Sequence, residues 1–101
     1  MTVVPDGEFS DAPEFRRAAT IRNRRGLHAR AAARFVKLAW EYDAEVTVVK
    51  NGTSVSGRSI MGLMMLAAGP GTEIELHATG PQAERALEAL GALVDGGFDE
   101  E

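Results

Sequence analysis

The chain has no cysteine among its 101 residues, which excludes disulfides, thiolate catalysis and cysteine-based metal sites together and suits a reducing compartment. No window comes near the roughly 18 consecutive apolar residues of a membrane-spanning helix. The opening MTVVPDGEFSDAPEF has neither the basic start nor the apolar run of a targeting segment. A cytoplasmic protein without membrane insertion is the expectation. Aromatic residues are scarce, at 6%, so the stacking platforms on which single-strand nucleic-acid binders rely are thin. No spacing of His, Asp and Glu suggests a metal cluster, and no metal or other cofactor is expected.

Acidic residues are missing from one window. Eight of the eleven Lys and Arg lie between Arg16 and Lys37, with no Asp or Glu among them, in a chain of net charge −4. A local positive field inside an acidic protein calls for a phosphate or an acidic partner there.

The length suits one domain with a modest core. Residues 1–13 carry Pro5, Gly7, Pro13 and acidic residues without periodicity and read as a flexible tail, leaving 14–101 as the domain. Phe15 to Arg22 reads as a first strand and Asn23 to Leu27 as a loop. From Ala29 a helix follows, its apolar stripe read as Ala29, Ala32, Ala33, Val36, Ala39 and Trp40. Glu45–Lys50 and Thr53–Ser56 flank Asn51-Gly52, a pair suited to the positive φ angles of a tight hairpin. Ser59 to Ala67 reads as a short apolar helix capped by Ser59 and ended by Gly69-Pro70-Gly71, with Ile60, Leu63 and Leu66 inward. Thr72 to Ala78 alternates with Ile74, Leu76 and Ala78 inward, and His77 outward between acidic neighbours. Pro81 to Val94 forms the last helix, with capping-box spacing between Thr79 and Gln82 and a stop at Gly96-Gly97. The order βαββαβα implies an α+β domain of one sheet with helices on one face.

The stretch Asn23 to Arg30, NRRGLHAR, puts His28 at the start of a helix, where the backbone N–H groups of Ala29, Arg30 and Ala31 lack intrahelical partners and form an anion site. A positive charge on the ring is disfavoured there, which leaves a ring nitrogen able to attack phosphorus. Arg30 opposes the helix dipole at a cost of about 0.3–1 kcal/mol unless an anion visits. Arg24 and Arg34 extend the basic surface, and Leu27, Met61 and Met64 are candidate contact residues for partners. His77 has nothing convergent nearby and reads as inert.

GLHAR opening a helix, then a hairpin, then RSIMGLMML and TEIELHATGP, in that order, closely resemble the histidine-containing phosphocarrier (HPr) family of the bacterial phosphotransferase system. The segment ATGPQAERALEALGALVDGGFDEE resembles the nitrogen-related branch. The resemblance covers about residues 15 to 98. It implies an open-faced β-sandwich of four antiparallel strands with three helices on one side. It further implies a stoichiometric, monomeric carrier rather than a self-contained enzyme, with the phosphoryl group on the δ1 nitrogen of His28 and Arg30 pairing with it. The implied donor is enzyme I charged from phosphoenolpyruvate and the implied acceptor an enzyme IIA. Ser59, in RSIMG, matches a position that some members phosphorylate through a serine kinase. One departure concerns Ala31, where the family usually has proline; the extra N–H and looser backbone bear on the lifetime of the phosphohistidine. The competing reading is a basic-faced module that binds nucleic acid or a regulatory protein through Arg16, Arg17, Arg22, Arg24, Arg25 and Arg34. It suffers from the shortage of aromatics.

Overall fold

The computed structural model describes residues 13–100. The tail expected over 1–13 therefore lies outside the described residues except for Pro13. The elements in chain order are β1 (Phe15–Thr20), α1 (Ala29–Ala39), β2 (Glu45–Lys50), β3 (Thr53–Ser56), α2 (Ile60–Met65), β4 (Glu73–Thr79) and α3 (Ala83–Asp95), with a final 3-10 turn at Gly97–Asp99. The four strands form one sheet in the order β1-β4-β2-β3, every pairing antiparallel. The fold is an α+β open-faced sandwich, with the helices covering one side of the sheet.

Alternation in the strands decides which side is covered. Ala19, Val46, Val48, Ile74, Leu76 and Ala78 point inward and are buried, and they meet Phe35, Leu63, Leu87, Leu90 and Val94 from the helices. The other side carries Arg16, Glu73, Glu75 and His77, three of them exposed and His77 half-buried. The hairpin between β2 and β3 turns at Asn51 and Gly52 with φ of 49° and 82°, as the Asn-Gly pair anticipates.

The inward stripe of α1 differs from the expected one. Ala31, Ala32, Phe35, Val36 and Ala39 are buried, whereas Ala29, Ala33 and Trp40 are exposed. Alanines on both faces say little about orientation, and burying Phe35 sets it. Trp40 instead lies under the Arg58 guanidinium, 3.9 Å from the ring centre, and Arg58 in turn donates to the carbonyls of Tyr42 and Ala44. In α2, Leu63 and Leu66 are buried as expected but Ile60 is 40% exposed. Six helical residues have only a narrow inward face, which Leu63 fills. The helix stops before Gly69-Pro70-Gly71, because Ala67 already turns left-handed with φ of 52°.

The capping box expected at the start of α3 is also absent. Thr79 ends β4, and Gln82 makes no side-chain cap. Its amide oxygen instead accepts the N–H of Asp43 at 2.7 Å, while the Gln82 N–H donates back to the Asp43 carbonyl at 3.0 Å. Gln82 thus clamps the α1–β2 loop.

One glycine is essential to the loop before α1. Gly26 has φ of 64°, and a Cβ there would overlap the carbonyl oxygen of Ala68. Gly52 also has positive φ, with open space around it. Gly26→Ala is expected to cost about 2–4 kcal/mol through strain plus overlap, and Gly52→Ala about 1 kcal/mol through strain alone. Urea midpoints at an unchanged slope measure the difference; equal losses would contradict the close approach at Gly26.

Candidate functional site

Helix α1 begins after His28, whose backbone is extended (φ −77°, ψ 179°) and whose side chain caps the helix. Ring Nδ1 accepts the N–H of Arg30 at 3.3 Å, and the His28 carbonyl accepts the N–H of Ala32 at 2.8 Å. The preceding loop is tied to the end of α2 by the Leu27 N–H, which donates to the Ala68 carbonyl at 3.0 Å. That tie and the Gly26 turn fix where the ring projects.

The first turn of α1 contains no acidic side chain, so its positive end is open to an anion from elsewhere. Glu100 meets the other edge of the capping ring. Its Oε2 lies 2.8 Å from Nε2 of His28. Its Oε1 accepts from Nδ2 of Asn23 at 3.1 Å, and that same amide donates to the Gly26 carbonyl at 2.8 Å. Asn23 is buried, whereas the His28 and Glu100 side chains keep 20% and 23% of their surface exposed.

The chain reaches this position through an unusual turn. Gly97, Phe98 and Asp99 have φ of 71°, 58° and 60°, and two left-handed non-glycine residues cost about 1–2 kcal/mol each. Phe98 is fully buried, which contributes about 1.5–3 kcal/mol. Arg34 adds a hydrogen bond from Nη1 to the Phe98 carbonyl at 2.7 Å. Burial and that bond together offset the strain and anchor the end of the chain beside the ring.

The hydrogen bond from His28 holds the Glu100 carboxyl below the usual glutamate range; Asn23 and the charges of His28 and Arg30 act the same way, against the opposing effect of burial. At neutral pH the carboxylate is therefore ionised and can only accept. An N–H facing Nδ1 and a carboxylate facing Nε2 match one tautomer of the neutral ring, with the proton on Nε2 and a lone pair on Nδ1. Such a ring can attack an electrophile through Nδ1.

The expected site residues are not all brought together. Arg24 and Arg30 line, with Arg25 and Glu100, a shallow depression of about 310 Å³. Met64 borders a second of about 340 Å³ together with His28 and Leu27. Met61 is 72% exposed on α2. Leu27, expected at the surface, belongs to the core and offers only the floor of that depression, because its tie to Ala68 draws it inward. Of the backbone groups, the Arg30 N–H is taken by the His28 ring, Ala29 is exposed and Ala31 is buried. Arg34 is committed to Phe98 and Asp99. Ser59 Oγ accepts the Gly62 N–H at 2.9 Å and so caps α2. His77 sits between carboxylates, 2.9 Å from Glu75 and 3.8 Å from Glu14, surroundings that repel an anion.

Sequence reading missed Glu100, Asn23 and Phe98. For Glu100 and Phe98 the only prior signal was a lone aromatic between glycine and acid in DGGFDEE, in an acidic segment that complements the basic window; Asn23 lay in the NRRGLHAR stretch without a role assigned to it. The nucleic-acid reading loses support in the same way, since Arg16, Arg17 and Arg34 are paired with Glu14, Asp95 and Asp99.

Because the Glu100 carboxyl titrates low in the folded chain, the stability it contributes is present at neutral pH and is lost as pH falls below the ordinary glutamate range. The Glu100 carboxyl carbon, followed by NMR, should titrate below that range and move up toward it in His28→Ala, where the largest of the lowering contacts is gone. An unchanged midpoint in the variant would contradict the contact.

Comparison with known proteins agrees with this geometry. The family described as "PTS HPr component phosphorylation site" matches residues 15–95. The phosphocarrier protein HPr of Pseudomonas aeruginosa is 54% identical over 82 residues, 80% of this chain and 91% of that protein. The phosphocarrier protein NPr of Shewanella violacea is 49% identical over 84 residues, 83% and 92% of the two chains. A crystal structure of HPr from Thermoanaerobacter tengcongensis superposes with a TM-score of 0.82 at 38% identity, covering 86% of this chain and 98% of that one. With its fold, its capped histidine and its relatives in accord, this chain belongs to the HPr family of the phosphotransferase system, whose members carry phosphoryl groups and are not enzymes by themselves.

Proposed function

We propose that His28 is the phosphoryl acceptor, receiving the group from phosphorylated enzyme I and passing it to an enzyme IIA domain. The observation that carries this reading is the placement of His28 as the cap of α1, with Nδ1 turned to the helix start and Nε2 backed by Glu100. The lone pair on Nδ1 attacks phosphorus in line as the donor's P–N bond breaks, and that bond's electron pair returns to the donor nitrogen. The reverse displacement on the acceptor's side restores the free ring. Nδ1 gives up its contact with the Arg30 N–H, which becomes available to a phosphoryl oxygen.

Arg30, whose backbone N–H faces this nitrogen, has an exposed side chain free to bring charge to the phosphoryl oxygens. Arg24 and Arg25 widen the positive field, and the exposed Met61 and Met64 give both partners adaptable apolar contact. A shallow, open site fits a carrier that two proteins must reach in turn.

His28→Ala is expected to abolish labelling by enzyme I and phosphoenolpyruvate, whereas His77→Ala should label normally. Arg30→Ala should slow transfer by about tenfold or more. Undiminished labelling of His28→Ala would overturn the reading.

A further inference from the structure

An imidazole offers two nitrogens to phosphorus, and in solution the less hindered Nε2 competes well. In this chain Nε2 is covered by a carboxylate at 2.8 Å, and Asn23 from the loop and buried Phe98 from the C-terminal turn hold that carboxylate in place. We propose that Glu100 is a positioning residue that directs the phosphoryl group to Nδ1 and keeps it transferable. The inference rests on the reading of His28 as the acceptor and adds to it a partner inside the chain.

Two physical effects follow from one contact. The hydrogen bond fixes the tautomer and the ring's rotation, so that only Nδ1 presents a lone pair. Bond formation at Nδ1 then leaves the ring positively charged with its proton still on Nε2, and the facing carboxylate stabilises that charge. By microscopic reversibility the ring leaves phosphorus most readily in this protonated form, so Glu100 favours departure as well as arrival. The other charges lining the depression beside Glu100, those of Arg24, Arg25 and Arg30, are all positive and work against a charged ring. The parts of α2 and its following loop that border the ring, Met64, Ala67, Ala68 and Gly69, bring no charge. The carboxylate is thus the compensating group among the described residues. Because ring and carboxylate are each about one-fifth exposed, solvent limits the effect to a few-fold.

Potassium phosphoramidate tests this without enzyme I. The Nδ1–P bond forms as the reagent's P–N bond breaks and ammonia departs with that electron pair, taking up a proton. With the full chain carrying ¹⁵N-labelled histidine, ³¹P–¹⁵N coupling reports which nitrogen is modified. Wild type should be modified at Nδ1 alone, E100A at both nitrogens. E100Q, whose amide oxygen still accepts from Nε2, should keep Nδ1 selectivity but lose the phosphoryl group to water about two- to fivefold more slowly than wild type. Modification of E100A at Nδ1 alone, or a wild-type lifetime in E100Q, would overturn the proposal. Phosphoramidate labelling of His28 with no labelling by enzyme I would instead sink the proposed function and leave this inference standing.

Discussion

A helix leaves its first N–H groups without partners, and where α1 begins governs everything else in this molecule. The chain starts the helix with His28 rather than with a serine or aspartate, so the capping acceptor is itself an imidazole ring nitrogen. With no acidic side chain in the first turn of α1, the helix's positive end is left for an anion delivered from outside the element. Gly26, packed against Ala68, sets the direction from which the ring enters. The sheet and core serve to hold this start in place.

The negative partner comes from the far end of the chain. Arg34 on α1 holds the Phe98 carbonyl, Phe98 fills the core, and Glu100 arrives at Nε2. Acidic side chains meet the basic window at three places, with Glu14 at Arg16, Asp95 at Arg17 and Asp99 at Arg34. Asp95 also accepts the Thr20 N–H at the end of β1. The basic segment inside an acidic protein is therefore partly paired, and under the proposed function the region around His28 and Arg30 is where a phosphoryl group would be received. The family's phosphocarrier role needs that combination of exposure and charge.

Much of this was legible in the sequence where a local rule dominates. The hairpin at Asn51-Gly52 and the alternation of β4 rest on backbone preference and period, and both hold. His28 and Arg30 could be singled out because helix capping and the helix dipole act within one turn. The failures are of two kinds. Alanine buries or exposes at similar cost, so the stripe of α1 could not be phased from Ala29, Ala33 and Trp40, and Phe35 decided it. Contacts between distant residues were invisible: Gln82 turned to Asp43, and Glu100 crossed more than seventy positions to His28. No short-range signal encodes such a meeting, since burial of Phe98 creates it.

The central claim, that the cap of α1 is the phosphoryl acceptor, is tested most directly by following both histidine rings by NMR while enzyme I and phosphoenolpyruvate are added. The account expects ³¹P–¹⁵N coupling to appear at the His28 ring while His77, held between Glu75 and Glu14, stays unchanged. Coupling at His77, or phosphorylation of the chain with neither ring altered, would contradict it.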